Sequence, residues 1–386
     1  MSSLSLLEKE LSNFNVLVAS LAIPYFGGLW QPENDPILAS DKFDAFSNLD
    51  TLTIHRLQHD PKTFFILNYI MEGESYKFYN FYQLLTLSAI RHNIPCSKIF
   101  LITSNLLEEE SYDAWQQLNF PNDRINVISF NFWDRPFLNE TTSWSIDHTA
   151  NFIRNKKQFN FLCLNRRKRS FRVATIYKII RSSIKNSTML SHDKITETDL
   201  TNLYSWFTRE NNRSVSLDDL IKIAELPPSV LDFSDFEVNW AMTMPDKLFQ
   251  NSLMSTVGET LYDSHDNTSI FYSEKSFKPM MYNHPVFIFG QPRINTYFQK
   301  LGFRTYSNYF NLDFDLIENH VDRLSSQIEQ LEQLNDRLNS MNTEQRVDWY
   351  LQDRETLEHN KQVIKDQHFN TSKFNKLVST IKSLSS

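Results

Sequence analysis

Residues 63–70, "TFFILNYI", form a near-continuous apolar run of strand length, and a pattern of helical period follows at once in "YNFYQLLTLSAIRH" (79–92). The alternation continues. "KIFLITS" (98–104) reads as a strand, "EEESYDAWQQL" (108–118) as a helix with acids in its first turn, where the helix dipole favours them, and "INVISF" (125–130) as a strand. Strands that are apolar throughout, rather than at every second position, are buried on both faces, so this order predicts a parallel sheet with right-handed crossovers and helices on each side. Residues from about 45 to 150 are thereby assigned to a doubly wound domain, and the loop-like "GGLWQPENDP" (27–36) to a segment that wraps it.

The pattern then restarts. "QFNFLCLN" (158–165) reads as a strand, "FRVATIYKIIRSS" (171–183) as a helix, "STMLSH" (187–192) as a strand and "TETDLTNLYSWF" (196–207) as a capped helix. After a stretch without clear period, 208–245, the segments "SLMSTVGET" (252–260) and "HPVFIFG" (284–290) resume as strands. "PRINTYFQKL" (292–301) follows as a helix with Pro at its first position and Gly302 past its end, and "FRTY" (303–306) as one more strand. Beyond about 315 the chain is helical and polar, with Val321, Leu324, Ile328, Leu331 and Leu338 at heptad spacing and Asn335 in the seam. That run is shorter than the three or four heptads that specify a coiled coil, so a helix packed on its own domain is expected. The fold class is α/β: two Rossmann-like doubly wound domains, 1–150 and 151–315, with a helical C-terminal segment, 316–386, packing on them.

Composition excludes several classes. With 41% hydrophobic residues, 31 Phe and 15 Tyr in 386 residues, the chain is expected to fold throughout. No apolar run reaches the roughly 18 residues that span a bilayer, and the N-terminus "MSSLSLLEKELSNF" has no basic n-region, which predicts a cytoplasmic protein without membrane insertion. Cys96 and Cys163 lie beside strand-like segments and read as reduced core residues. A net charge of −7 argues against a generally basic nucleic-acid binder.

Against that acidic background, Arg166, Arg167, Lys168, Arg169, Arg172, Lys178, Arg181 and Lys185 follow one another with no acid between Phe161 and Lys185. The core of the stretch, "LNRRKRSFR", sits where a strand ends and a helix begins, the place where doubly wound sheets bind ligands and where free backbone N–H groups favour an anion. A solvated basic turn and a nucleic-acid contact remain open beside a small anionic ligand, which fits the location best. A second stretch, "SEKSFKP" (273–279), puts Glu274 and Lys275 just ahead of an apolar strand. If Ser273 capped the helix, Pro279 would fall at its sixth position and remove a hydrogen bond, so Ser276 is the expected N-cap, with Glu274 and Lys275 in the loop before it. A carboxylate there can accept both hydroxyls of a ribose, and an ammonium beside a helix N-terminus suits a diphosphate.

"FLCLNRRKRSFR", followed about a hundred residues later by "GETLYDSHDNTSIFYSEKSFKPMMYNHPVFIFGQPRINTYFQKLGFRTY", resembles the donor-binding half of a group of GT-B-type glycosyltransferases from phages and bacterial surface-polysaccharide clusters, and more distantly fucosyltransferases. The likeness covers roughly 158–315. It implies a glycosyltransferase that moves a sugar from a nucleoside diphosphate sugar to an acceptor hydroxyl, on a glycan or on a hydroxymethylated base of phage DNA, with no metal and no further cofactor. It also implies that Glu274 holds the donor ribose and that Lys275 and Arg166 or Arg169 neutralise the diphosphate. Asn165, Arg167, Arg172 and Lys278 belong to the same two boxes, and Glu259, in "VGET", lines the same cleft. The chain departs from the family pattern at Phe171, where a His is usual, and at Lys168, where a Pro is usual, so the first box is assigned no catalytic acid or base. A base is expected from the first domain, with Glu72 and Glu74 in "NYIMEGESYKF" (68–78) the foremost candidates beside His55, His59 and Asp134. A non-catalytic nucleic-acid or partner-binding protein on the same scaffold is the alternative. "DFD" (313–315) has the spacing of a metal-binding pair but follows the last strand and is not read as one.

Overall fold

A computed structural model of the chain describes residues 11–20, 44–69, 81–131, 144–155, 159–165, 168–208, 216–229, 231, 246–263, 269–366 and 368–385. The chain forms two compact units, one made of Met1–Phe132, Thr268–Phe271 and His368–Ser386, the other of Trp133–Asn267 and Tyr272–Gln367.

The first unit runs β1 (Asn15–Ser20), α1 (Thr51–His59), β2 (Thr63–Tyr69), α2 (Phe81–Arg91), β3 (Ile99–Thr103), α3 (Glu108–Asn119) and β4 (Asn126–Ser129). Its sheet is parallel in the order β1-β2-β3-β4, with Phe65 opposite Ile99 and Phe100 opposite Asn126. Side chains alternate across a strand, and here both faces are apolar. Phe65, Leu67, Ile99, Leu101 and Val127 pack against Leu57 of α1, Phe81, Tyr82 and Leu85 of α2 and Tyr112 of α3. Phe64, Ile66, Phe100, Ile102 and Ile128 face the other way. A buried position can have no idle face, so that second surface needs a cover as large as the first. Leu377, Val378 and Ile381 of the last helix supply it.

The second unit runs α4 (Ile146–Asn155), β5 (Phe159–Leu164), α5 (Ser170–Arg181), β6 (Thr188–Ser191), α6 (Glu197–Thr208), α7 (Leu217–Ala224), α8 (Asp246–Asn251), β7 (Ser252–Gly258), α9 (Glu274–Met281), β8 (Val286–Phe289), α10 (Ile294–Lys300), α11 (His320–Asn339), α12 (Thr343–Leu351) and α13 (Arg354–Asp366). α14 (His368–Leu384) then returns to the first unit, where Lys373 and Lys376 both bond Glu109. The second sheet is parallel in the order β6-β5-β7-β8. The molecule is thus a mixed α/β protein with two parallel four-stranded sheets.

Local details differ from the sequence reading at several places: β1 lies ahead of the expected start of the first domain near residue 45, α7 falls in the stretch 208–245 read as having no clear period, and three segments of the second unit depart from their expected form. The helix in "SEKSFKP" starts at Glu274 with Ser273, not Ser276, as N-cap, and Pro279 lies inside it. "FRTY" is not a strand: the backbone of Arg304 pairs with the side chain of Asn360, which accepts from its N–H at 2.7 Å and donates to its carbonyl at 2.8 Å. α10 begins at Ile294, past Pro292, because the Asp315 carboxylate accepts from the N–H groups of Asn295 and Thr296. That bond also accounts for the second acid of "DFD", and no cluster of metal-ligating residues occurs among the described residues. The far end of α10 follows its sequence: Gly302 takes φ +94, its N–H donates to Gln299 and that of Phe303 to Phe298, and the two Phe rings stack at 4.4 Å.

α11 buries Val321, Leu324, Ile328, Leu331 and Leu338, and its Asn335 accepts from Asn160 of β5 at 2.8 Å. Its apolar face is therefore consumed within its own unit. Among the described residues, no helix is long and apolar enough to cross a membrane.

Candidate functional site

The strand order of the second unit reverses between β5 and β7, since the chain leaves β5 toward β6 on one side and later builds β7 and β8 on the other. Connections after those two strands therefore part to opposite faces of the sheet, and the crevice outside their carboxyl ends is where open α/β sheets bind ligands. The residues at that place are Asn165 and Arg169 after β5, and Gly258, Glu259 and Thr260 at the end of β7.

Two arginines lace these connections together. Arg172, 3% exposed, donates through Nη2 to the carbonyls of Gly258 (3.0 Å) and Glu259 (3.1 Å), and Arg169 donates through Nη1 to Thr260 (3.0 Å). Carbonyls where the strand runs out need donors from outside the ladder, and the guanidinium fork supplies several from one side chain. Other members of the basic stretch are also bound within the unit: Lys168 to Asp199 (3.0 Å), Lys178 to Ser325 (3.1 Å) and Arg181 to Asp219 (2.9 Å). The charge legible in the sequence is largely a set of ties. Arg166 and Arg167 lie outside the described residues.

Asn165 is 1% exposed and its Nδ2 donates to Cys163 Sγ at 3.3 Å, while its Oδ1 has no hydrogen-bond partner. That oxygen lies where a Cβ on Gly258 would stand, 2.6 Å from the ideal position. Only glycine permits the approach.

Glu259 is fully buried. Its Oε2 accepts from Ser273 N–H (3.0 Å), Ser273 Oγ (2.7 Å) and Thr260 N–H (3.2 Å), and its Oε1 accepts from Ser276 Oγ. Ser273 and Ser276 are the N-cap and third residue of α9, so this one side chain fastens the helix start to the carboxyl end of β7. The helix consequently begins earlier than the Pro279 argument predicts. A misplaced proline costs about 3 kcal/mol, whereas two helix hydroxyls and an N–H bonded to a carboxylate contribute about 1.5–3 kcal/mol each when the group is charged. The long-range anchor outweighs the local rule.

Glu274 and Lys275 then form the first turn of α9 rather than a loop before it. Lys275 Nζ donates to Glu274 Oε1 at 2.8 Å and to Ser273 Oγ at 3.2 Å, with side chains 30% and 16% exposed for Lys275 and Glu274. Burial pushes the Glu274 carboxyl up, but the adjoining Lys275 ammonium, Lys278 and its own N–H outweigh this and hold it below the ordinary value. Glu274 is thus an ionised, hydrogen-bond-accepting group at neutral pH. Lys278 is 7% exposed. Two of the donors that a helix N-terminus usually offers an anion are already engaged here: the Lys275 N–H points to Ser273 Oγ (3.4 Å) and the Ser276 N–H to the Ser273 carbonyl (3.3 Å). Attraction for an anion therefore resides in the lysine side chains rather than in the helix end.

The bases expected from residues 1–150 are less informative. Glu72, Glu74 and Asp134 lie outside the described residues. His55 and His59 are exposed on α1 with their rings 4.6 Å apart, and His59 sits just before the amino end of β2, at the edge of the sheet opposite the ligand-binding one. Sequence reasoning missed the anchoring function of Glu259 and the buried Arg323, whose guanidinium donates to the carbonyls of Gly290, Ile317, Glu318 and Tyr262. No family model, curated protein or solved structure matches the chain.

Proposed function

We propose that the chain is a glycosyltransferase of GT-B type that binds a nucleoside diphosphate sugar at the carboxyl edge of its second sheet. The observation that carries this reading is the Glu274–Lys275 ion pair, partly exposed, on a helix start fastened beside the β5/β7 reversal. Glu274 accepts hydrogen bonds from the two ribose hydroxyls, and Lys275 with Lys278 offsets the charge of the diphosphate. In the transfer, the acceptor oxygen bonds the anomeric carbon as the bond from that carbon to the phosphate oxygen breaks. The diphosphate leaves with the electron pair, and the acceptor proton passes to a base. Fixed ammonium groups stabilise the negative charge that develops on the leaving group. The acceptor is a hydroxyl of a glycan or of a hydroxymethylated DNA base, and a net charge of −7 favours the glycan. The number of basic side chains tied to their own unit tells against a protein that only binds nucleic acid.

Calorimetry of the purified protein with UDP, GDP, ADP, CMP and dTDP tests the proposal. One ribonucleoside diphosphate binds, and Glu274→Ala and Lys275→Ala each weaken it about tenfold, the effect of losing one or two hydrogen bonds to a charged group. Absence of binding by every nucleotide refutes it.

A further inference from the structure

Glu259 belongs to the block that resembles a donor site, yet its geometry does not suit a donor ligand. The side chain has no exposed surface, and both of its oxygens are turned onto its own chain, to Ser273, Ser276 and Thr260. We infer that Glu259 is a positioning residue that sets where Glu274 stands and thereby gives the site its selectivity for a ribose over a deoxyribose.

The inference rests on the glycosyltransferase reading of Glu274 and deepens it. Glu274 immediately follows Ser273, whose N–H and hydroxyl are both held by Glu259 Oε2, and it lies two residues before Ser276, held by Oε1. The backbone on each side of Glu274 is thus pinned to the end of β7 by a single side chain. A carboxylate that must accept from two vicinal hydroxyls has narrow tolerance in position, because hydrogen bonds weaken steeply with distance and angle. An ammonium on a flexible stem that meets a phosphate as a point charge has wide tolerance. Loosening the anchor therefore acts on recognition of the sugar hydroxyls more than on recognition of the phosphates. A residue important only for folding would leave the ratio of the two unchanged.

The test compares a ribonucleoside diphosphate that the wild type binds with its 2′-deoxy counterpart by calorimetry, with a melting curve for each variant. Wild type prefers the ribonucleotide about tenfold, the weight of one hydrogen bond to a charged acceptor. In Glu259→Ala the preference falls to near unity, and in Ser276→Ala, which removes one of the anchor's bonds and adds a better helix former, it falls about threefold. Glu259→Gln keeps the preference within about twofold of wild type, since its amide oxygen can still accept from the Ser273 N–H while its NH2 donates to Ser276 Oγ. If Glu259→Ala does not fold, the Ser276→Ala and Glu259→Gln pair decides. Unchanged selectivity in Ser276→Ala, or a loss in Glu259→Gln as large as in Glu259→Ala, overturns the positioning role while leaving the nucleotide site intact. A wild type that binds neither nucleotide overturns the glycosyltransferase reading itself.

Discussion

Gly258 ends β7 against Asn165, and the consequence of adding one methyl group there can be worked out from the structure. An ideal Cβ at position 258 meets Asn165 Oδ1 at 2.6 Å, and Arg172 Cγ and Phe171 Cε2 at 3.5 Å. The latter two are ordinary contacts; the first is a collision. Asn165 is 1% exposed and has a short side chain, so it cannot swing into solvent. Overpacking of this kind costs about 1–3 kcal/mol, which in a unit of this size lowers the melting temperature by roughly 5 °C. Asn165→Ala alone changes stability by less than about 1 kcal/mol, because it loses a weak bond to Cys163 Sγ but also removes an oxygen buried without a partner. The two changes are coupled. In Gly258→Ala/Asn165→Ala the new methyl enters the space the amide vacates, and about 1–2 kcal/mol of the Gly258→Ala cost returns. Scanning calorimetry of the four proteins closes the cycle. A Gly258→Ala protein as stable as wild type, or strictly additive losses in the double variant, refutes the reasoning.

Two further outcomes follow from buried groups elsewhere. Burial pushes the thiols of Cys96 and Cys163 up to about 11, so neither reacts quickly with a disulfide reagent at pH 8 in the native protein, and a fast-reacting thiol in a timed titration contradicts their placement. Burial also raises the Asp353 carboxyl above its usual range, with Asn308, Tyr309 and Thr356 only partly offsetting it, and its Oδ2 has no partner. A raised acid binds its proton more tightly in the folded state, so its charged form destabilises above the folded value and the penalty fades as pH falls toward the unfolded one. Asp353→Asn, which removes the charge and keeps an oxygen to accept from Asn308, therefore raises the melting temperature at pH 7 by about 2–4 °C, with the gap closing in acid; a lower melting temperature at pH 7 contradicts this.

What could be read from the sequence follows the range of the forces involved. Runs such as "TFFILNYI" and "FLCL" announce buried parallel strands because burial on two faces is written residue by residue. The order β6-β5-β7-β8 is not written that way, since it depends on which strands pair across nearly a hundred residues, and the reversal that locates the site becomes visible only in the sheet. Proline chemistry placed the start of α9 at Ser276, and the structure places it at Ser273 because a carboxylate fourteen residues upstream of the cap holds both serines. "FRTY" has the composition of a strand, but its backbone finds Asn360 instead of a neighbouring strand. The basic stretch shows most plainly where reading stops: a sequence gives the sign of Arg172, and only the fold shows that it points at two carbonyls rather than at a ligand.

That last distinction also bears on what the site requires of its ligand. With the Lys275 and Ser276 N–H groups of α9 engaged internally and Arg172 turned to the strand end, the described cations beside Glu274 are Lys275 and Lys278. One carboxylate and two ammonium groups leave an excess of a single positive charge, less than a diphosphate carries. Under the proposed function a diphosphate therefore needs a further cation, and among the described residues Arg169, the N-cap of α5, reaches Thr260 beside Glu259. A site balanced by recruited side chains holds the free diphosphate less tightly than one lined by preorganised helix N–H groups, because ordering each long side chain costs about 1 kcal/mol or more of conformational freedom. In the proposed donor site affinity then comes chiefly from the nucleoside, and the ribose contact proposed for Glu274 becomes the decisive one.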